Sequence, residues 1–198
     1  FFGGADQNFG GRAPAYPFYN GGKLFFTAWQ GWAAGGNTTL YLYDQGRLRP
    51  VAAVGTPPDW LWERMGQPKP APKKEPPATV FAWTDANDDG KLQPEEAKLG
   101  KLALNGKTWP KVGATWQFRM NQNFEAAVSD GEYGQAAIAF FRVERLNDKG
   151  YPIYQLPTEF RVIPRLGHAA DAVFTTREGN AISLDEMVTC MKPDGQIL

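Results

Sequence analysis

The twelve residues 85–96, Asp-Ala-Asn-Asp-Asp-Gly-Lys-Leu-Gln-Pro-Glu-Glu, impose the tightest constraint in this sequence. Side chains that carry oxygen stand at the first, third, fifth, ninth and twelfth positions of the segment, and a glycine stands at the sixth. A glycine there permits a left-handed turn that a β-carbon would obstruct. The spacing therefore predicts a sharply curled loop whose alternate side chains converge.

Converging oxygens at this spacing are the ligands that Ca²⁺ takes from an EF-hand-like loop. The predicted ligands are Asp85, Asn87, Asp89, Lys91 through its carbonyl, Gln93 through water, and Glu96 through both carboxylate oxygens. Asp88 and Glu95 fall between ligand positions and are expected to face solvent. A plain acidic turn between two strands is the other interpretation. Ordinary turns, however, do not also place a glutamate six residues after the glycine.

The two flanks of this loop differ. Residues 79–84 are β-branched and aromatic, which predicts a strand before the loop. After it, Pro94 and residues 95–99 predict a short helix that Gly100 ends. Calcium sensors generally use paired loops that open a helix pair, and only one loop is present here. The pattern favours a structural staple.

Composition indicates a globular chain. Of the 198 residues, 42% are hydrophobic and 14% aromatic, which is enough to build a core. The 21 basic and 21 acidic residues cancel, so nothing in the charge favours nucleic acid or an anionic membrane. We expect no membrane span and no nucleic-acid partner. The single cysteine, Cys190, excludes an internal disulfide and is expected to be a buried strand thiol.

Short β-patterned runs separated by turn residues recur along the chain and predict an all-β fold. The predicted strands are 23–29, 39–43, 47–54, 79–84, 114–120, 124–129, 136–143, 160–163, 172–176 and 187–191. We expect residues 1–198 to form a single β-rich unit, in which the proline-rich stretch 56–79 is an exposed, extended insertion. Within that insertion, Trp60, Leu61 and Trp62 are expected to pack onto the body. Periodicity alone leaves a sandwich, a barrel and propeller blades open.

Several segments resemble large exported bacterial β-propeller proteins, which are related to NHL and quinoprotein-like repeats. The segments that carry the resemblance are 47–55, 81–90 and 93–96, with the shorter pieces 20–26, 148–154 and 192–198. The resemblance implies antiparallel propeller-like blades, a partial propeller with a calcium-loop and short-helix insertion. It also implies that this chain is a fragment or a processed subunit. Another chain, or further residues of the same protein, would then complete the ring of sheets.

The expected function is that of a calcium-binding structural or binding module in a larger extracellular or periplasmic protein. Free calcium is plentiful in those compartments, and polysaccharide is a candidate ligand because exposed aromatic rings stack on sugars. The aromatic candidates are Trp29, Trp32, Trp60, Trp62, Trp109 and Trp116. The alternative is part of a propeller enzyme, either a polysaccharide lyase or a quinone-dependent dehydrogenase. Asp171 with Arg165 could serve a lyase, and His168 is expected in a loop or at a strand edge. No residue stands out as catalytic or as binding an organic cofactor.

Overall fold

Strands dominate the architecture of this protein. The computed structural model describes residues 16–30, 37–57, 59–66, 68, 79–104, 106–108, 117–132, 135–163, 172–184 and 188–198. This part of the chain forms sixteen strands, one six-residue α-helix and one 3₁₀ turn. The predicted all-β class with antiparallel sheets is therefore confirmed.

The first sheet has six antiparallel strands that follow one another in chain order. Its strands are β1 (Tyr16–Asn20), β2 (Lys23–Gln30), β3 (Asn37–Asp44), β4 (Arg47–Gly55), β5 (Val80–Thr84) and β6 (Ala97–Gly100). The predicted strands 23–29, 39–43, 47–54 and 79–84 all lie in this sheet. The turns of the two described hairpins have the left-handed positions that tight hairpins need, at Gly21 and Gly22 in one and at Gln45 and Gly46 (φ 80°) in the other.

Two four-stranded sheets and a small hairpin complete the described structure. Their strands are β7 (Ala103–Leu104), β8 (Lys107–Thr108), β9 (Gln117–Arg119), β10 (Ala126–Glu132), β11 (Gln135–Leu146), β12 (Pro152–Gln155), β13 (Arg161–Ile163), β14 (Ala172–Thr175), β15 (Ala181–Leu184) and β16 (Val188–Met191). The long strand β11 pairs with β10, β12 and β13, while the other sheet has the order β16-β15-β14-β9. All these pairs are antiparallel except β14 with β9.

The described sheets close into neither a barrel nor a propeller, so the propeller-like arrangement stays a prediction. One hydrophobic core nevertheless reaches all three larger sheets. It includes Val54 from the first sheet, Ile138 from the second and Val173 from the third, each fully buried. Because these side chains share one core, the three sheets pack against one another.

A second, smaller core lies on the opposite face of the first sheet, where Ala53, Phe81 and Trp83 meet Leu61 and Leu92. Leu61 belongs to the helix α1 (Asp59–Arg64), and Leu92 belongs to the loop that follows β5. Side chains alternate between the two faces of a strand. Phe81 and Trp83 therefore enter this core, while Val80 and Ala82 enter the larger one.

Two local expectations were wrong. The short helix after residue 94 is a single 3₁₀ turn, Pro94–Glu96, and residues 97–100 form β6, where Ala97 and Leu99 pair with Trp83 and Phe81. Pairing with the buried strand β5 outweighs the helical preference of this segment, which is a weak one. The start of the insertion is also helical at Asp59–Arg64 where we expected an extended chain. Leu61 and Trp62 do pack onto the body, since both are buried.

Four turns share the same two hydrogen bonds: the fourth residue donates its N–H to the carbonyl of the first, and the first residue donates its N–H to the carbonyl of the fifth. They begin at Asn121, Asn147, Thr176 and Lys192. The fourth residue has positive φ in each turn, and it is glycine in all but one. The exception is Phe124, with φ 65°, whose ring is buried and meets the Phe25 ring edge-on at a centroid distance of 5.0 Å.

We predict that glycine is tolerated better than alanine at position 124, which reverses the usual order. Phe124→Ala loses the ring and keeps the left-handed strain, whereas Phe124→Gly removes strain worth about 1 kcal/mol. Both variants lose about 3–5 kcal/mol from the emptied core. Urea unfolding measures the difference in the free energy of unfolding.

Phe25 provides the matched control, because it lies in the same aromatic cluster on the strand β2. There Phe25→Gly should be less stable than Phe25→Ala, because glycine weakens a strand. A Phe124→Gly protein less stable than Phe124→Ala would contradict the role of backbone strain at this turn.

Candidate metal centre

The loop 85–96 joins β5 to β6 at one corner of the first sheet. Its first residue is fixed to β4, because the Asp85 N–H donates to the Val51 carbonyl at 2.9 Å. Its middle is fixed by Leu92, which is buried in the smaller core. The loop is thus anchored at its start and at its middle by contacts that involve no side-chain oxygen.

Asp85 points into the loop, and its side chain has no exposed surface. The Asp89 N–H donates to Oδ1 at 3.1 Å and the Gly90 N–H donates to Oδ2 at 3.0 Å. Gly90 has φ 70°, the left-handed conformation predicted from its position. Burial raises the pKa of the Asp85 carboxyl, and the Gly90 N–H and the charge of Arg49 only partly offset that effect.

Asn87 and Asp89 continue the curl with bonds to the backbone that follows them. Asn87 Oδ1 accepts from the Asp89 N–H at 3.1 Å, and Asp89 Oδ1 accepts from the Lys91 N–H at 2.8 Å. Burial raises the pKa of Asp89, but the bonds from the Lys91 N–H and from Gln93 together outweigh it and hold the pKa below its ordinary value. Asp89 is therefore ionised at neutral pH.

Glu96 closes the loop onto its own beginning. Its Oε1 accepts from the N–H groups of Ala86 and Asn87 at 2.9 and 3.2 Å. Its Oε2 accepts from Trp83 Nε1 at 3.0 Å. The carboxylate at the twelfth position is thus tied to the start of the loop and to the smaller core.

Gln93 leaves one polar atom without a partner. Its Nε2 donates to Asp89 Oδ2 at 2.7 Å, which fixes the orientation of the amide, since the reverse would set two oxygens against each other. Its Oε1 is buried and finds no donor among the described residues. A buried acceptor without a partner costs about 1–3 kcal/mol. A cation in the loop would remove that cost.

The donor set fits Ca²⁺ in kind, because it offers carboxylate, amide and carbonyl oxygens and no nitrogen or sulfur. Asp85, Asn87, Asp89, Lys91, Gln93 and Glu96 all lie within this one curled segment. Within the described residues, however, no three side chains of His, Cys, Asp or Glu come together as a metal-holding group. A site here depends on the amide and carbonyl oxygens as much as on the carboxylates.

A cation of the protein itself already contacts the loop. Arg49 of β4 places Nη1 2.8 Å from Asp85 Oδ2 and Nη2 2.6 Å from Asp88 Oδ1. Nη2 also donates to the Tyr151 hydroxyl at 2.8 Å. Nothing in the loop pattern predicts this guanidinium, because the contacts join residues 36 to 102 positions apart.

Asp88 is exposed, as expected, but it also contacts the turn between β11 and β12 of the second sheet. Its side chain is 37% exposed, yet Oδ1 accepts from the Tyr151 hydroxyl at 2.7 Å and Oδ2 lies 3.5 Å from Lys149 Nζ. Burial raises the pKa of Asp88, but the bonds from Tyr151 and Arg49 outweigh it and hold the pKa low. Burial and the bond to Asp88 raise the pKa of Tyr151 to about 12. Glu95 is exposed, as expected.

Most other candidate residues lie outside the described part of the chain. These are Asp171, Arg165 and His168, and the side chains of Trp29, Trp32, Trp60, Trp109 and Trp116. Trp62 is 2% exposed and so does not present a ring to a sugar. Cys190 lies in β16, as expected, but is half-buried.

Comparisons with known proteins identify no family, since no family model, curated protein or solved structure matches this chain. Of the helices in the described ranges, none has the length and apolar character needed to cross a membrane.

We predict that Gly90→Ala destabilises the protein by about 2–3 kcal/mol. An added Cβ would lie 2.8 Å from Arg49 Cγ and would meet left-handed strain as well. The change therefore displaces the guanidinium from both aspartates. Urea unfolding without added calcium measures the loss.

Gly46→Ala is the matched control, because Gly46 has φ 80° and nothing lies within 4 Å of its added Cβ. That variant should lose only the strain contribution, about 1 kcal/mol. Equal losses at the two positions would show that the close approach of Arg49 is unimportant.

Proposed function

We propose that this protein is a calcium-binding β-sheet module whose loop 85–96 holds one Ca²⁺ as a structural staple. The observation that carries the proposal is the buried, unpartnered Oε1 of Gln93, at the ninth position of the loop. The remaining donors support it by type and by spacing. In this proposal Asp85, Asn87, Asp89 and Glu96 bind through side-chain oxygens, Lys91 binds through its carbonyl, and Gln93 binds through water.

The surroundings of the loop support a staple more than a sensor. The loop is fixed to β4 through Val51, to the smaller core through Leu92 and Trp83, and to the second sheet through Asp88. An ion that ties these donors together would hold the corner between two sheets. A sensor, in contrast, needs an element that moves when the ion binds.

The wider function that we propose is a structural or binding role in a larger exported protein, in the extracellular space or the periplasm. Another chain, or further residues of the same protein, would extend the sheets. The exposed Tyr19 supports this, because it lies on β1, a strand at the edge of a described sheet. Polysaccharide remains a candidate ligand. The enzyme alternative has no support from a described residue.

Calcium should raise the thermal unfolding midpoint of the wild-type protein. At a free concentration about 100 times Kd, a ligand that binds only the folded state adds about 2.7 kcal/mol, or about 5–10 °C for a chain of this size. Differential scanning calorimetry in EGTA and in increasing calcium measures the shift. Glu96→Gln should lose most of it, because a carboxylate is replaced by a neutral amide.

Glu95→Gln is the control, because Glu95 is the exposed neighbour of Glu96 and its replacement removes the same charge. It should keep the wild-type shift. Absence of any shift in the wild-type protein at millimolar calcium would refute the metal site. An equal shift in Glu96→Gln would refute the assignment of Glu96 as a ligand.

A further inference from the structure

Arg49 occupies a position that a calcium loop does not require. Its guanidinium lies between Asp85, a predicted ligand, and Asp88, which is not one. Its side chain is 25% exposed, whereas that of Asp85 is fully buried. A fixed positive charge from β4 thus lies in direct contact with a loop carboxylate that we assign to the ion.

The contact between Arg49 and Asp85 stabilises a carboxylate that is buried in the folded chain. A buried carboxylate without a counter-charge is costly, and removal of one partner of a buried ion pair is strongly destabilising. The two backbone N–H donors to Asp85 supply only part of the compensation. Arg49 Nη1, bound to Oδ2 at 2.8 Å, supplies the full charge.

Arg49 also has a second set of partners. Nη2 contacts Asp88 Oδ1 and the Tyr151 hydroxyl, and the guanidinium carbon lies 5.8 Å from the centre of the Tyr151 ring. These contacts hold the side chain beside the loop independently of Asp85. The guanidinium therefore stays near the site when another cation shares Asp85.

We propose that Arg49 is a resident cation of the loop, which keeps the loop folded without calcium and weakens calcium binding by sharing Asp85. The role of Arg49 in the calcium-free loop is argued from the geometry alone. The weakening of calcium binding rests on the proposed calcium site. Arg49 is a positioning residue in this scheme and not a ligand. Its removal should turn a protein that tolerates calcium removal into one that depends on calcium.

The test compares Arg49→Met with Arg47→Met. Arg47 is exposed on the same strand, and both arginines line one cleft beside Asp89 and Gly90, so the replacement of Arg47 removes an equal charge nearby. Urea unfolding in EGTA measures stability without the ion, and isothermal titration with CaCl₂ measures Kd. We expect Arg49→Met to have a clearly lower midpoint in EGTA and a calcium Kd about tenfold tighter than wild type. Arg47→Met should match wild type in both.

Arg49→Lys separates charge from geometry, because lysine keeps the charge and loses the planar fork that spans two carboxylates. It should lose stability in EGTA while its calcium Kd stays near the wild-type value. If Arg49→Met is unfolded in EGTA, recovery of its circular dichroism on addition of CaCl₂ measures the same dependence and supports the proposal.

The results distinguish this proposal from the function on which it rests. Wild-type stability of Arg49→Met in EGTA would overturn the resident-cation role. An unchanged or weaker calcium Kd in Arg49→Met, with tight binding in wild type, would overturn the sharing of Asp85 and leave the calcium site intact. If wild type binds no calcium and Arg49→Met is still destabilised, the proposed function falls and only the structural role of Arg49 survives.

Discussion

The ion pair between Asp85 and Arg49 sets the form of the loop and of the corner around it. A fully buried carboxylate must be surrounded by donors, and here the donors are two loop N–H groups and one guanidinium. The N–H groups reach Asp85 only if the backbone turns at Gly90, and the guanidinium fits only where Gly90 lacks a β-carbon. The loop sequence and the arginine of β4 therefore depend on each other.

Burial of β5 on both faces explains why the loop lies where it does. Trp83 is buried in the smaller core and also donates to Glu96, so one side chain connects hydrophobic packing to the loop. Leu92 returns to the same core after the curl. The packing of β5 therefore also positions the loop oxygens. A change at either Trp83 or Leu92 would alter their positions.

Local signals were enough to predict the hairpins of the first sheet and the curl at Gly90, because alternation and turn residues act over a few positions. They failed where distant contacts decide. Residues 97–99 carry helix-forming side chains, yet they pair with β5 and form a strand. Pairing with β5 outweighs their weak helical preference. The roles of Asp88 and Arg49 depend on Tyr151, which is 63 and 102 residues away. No spacing within the loop encodes such contacts. The calcium site itself stays a prediction, supported now by the burial of Gln93 Oε1.

The order already present in the loop bears on what would limit the affinity of the proposed calcium site. A site that must fold before it binds has its affinity reduced by the fraction of competent molecules. This loop is curled by its own hydrogen bonds, anchored by Val51 and Leu92, and neutralised in part by Arg49, so that fraction is large. For the calcium site that we propose, charge would then be the limiting factor, because Arg49 would repel an incoming cation and already contacts Asp85 Oδ2. An affinity restrained by charge in this way would suit a compartment in which calcium is abundant, and Arg49 would then keep the fold intact when calcium is scarce.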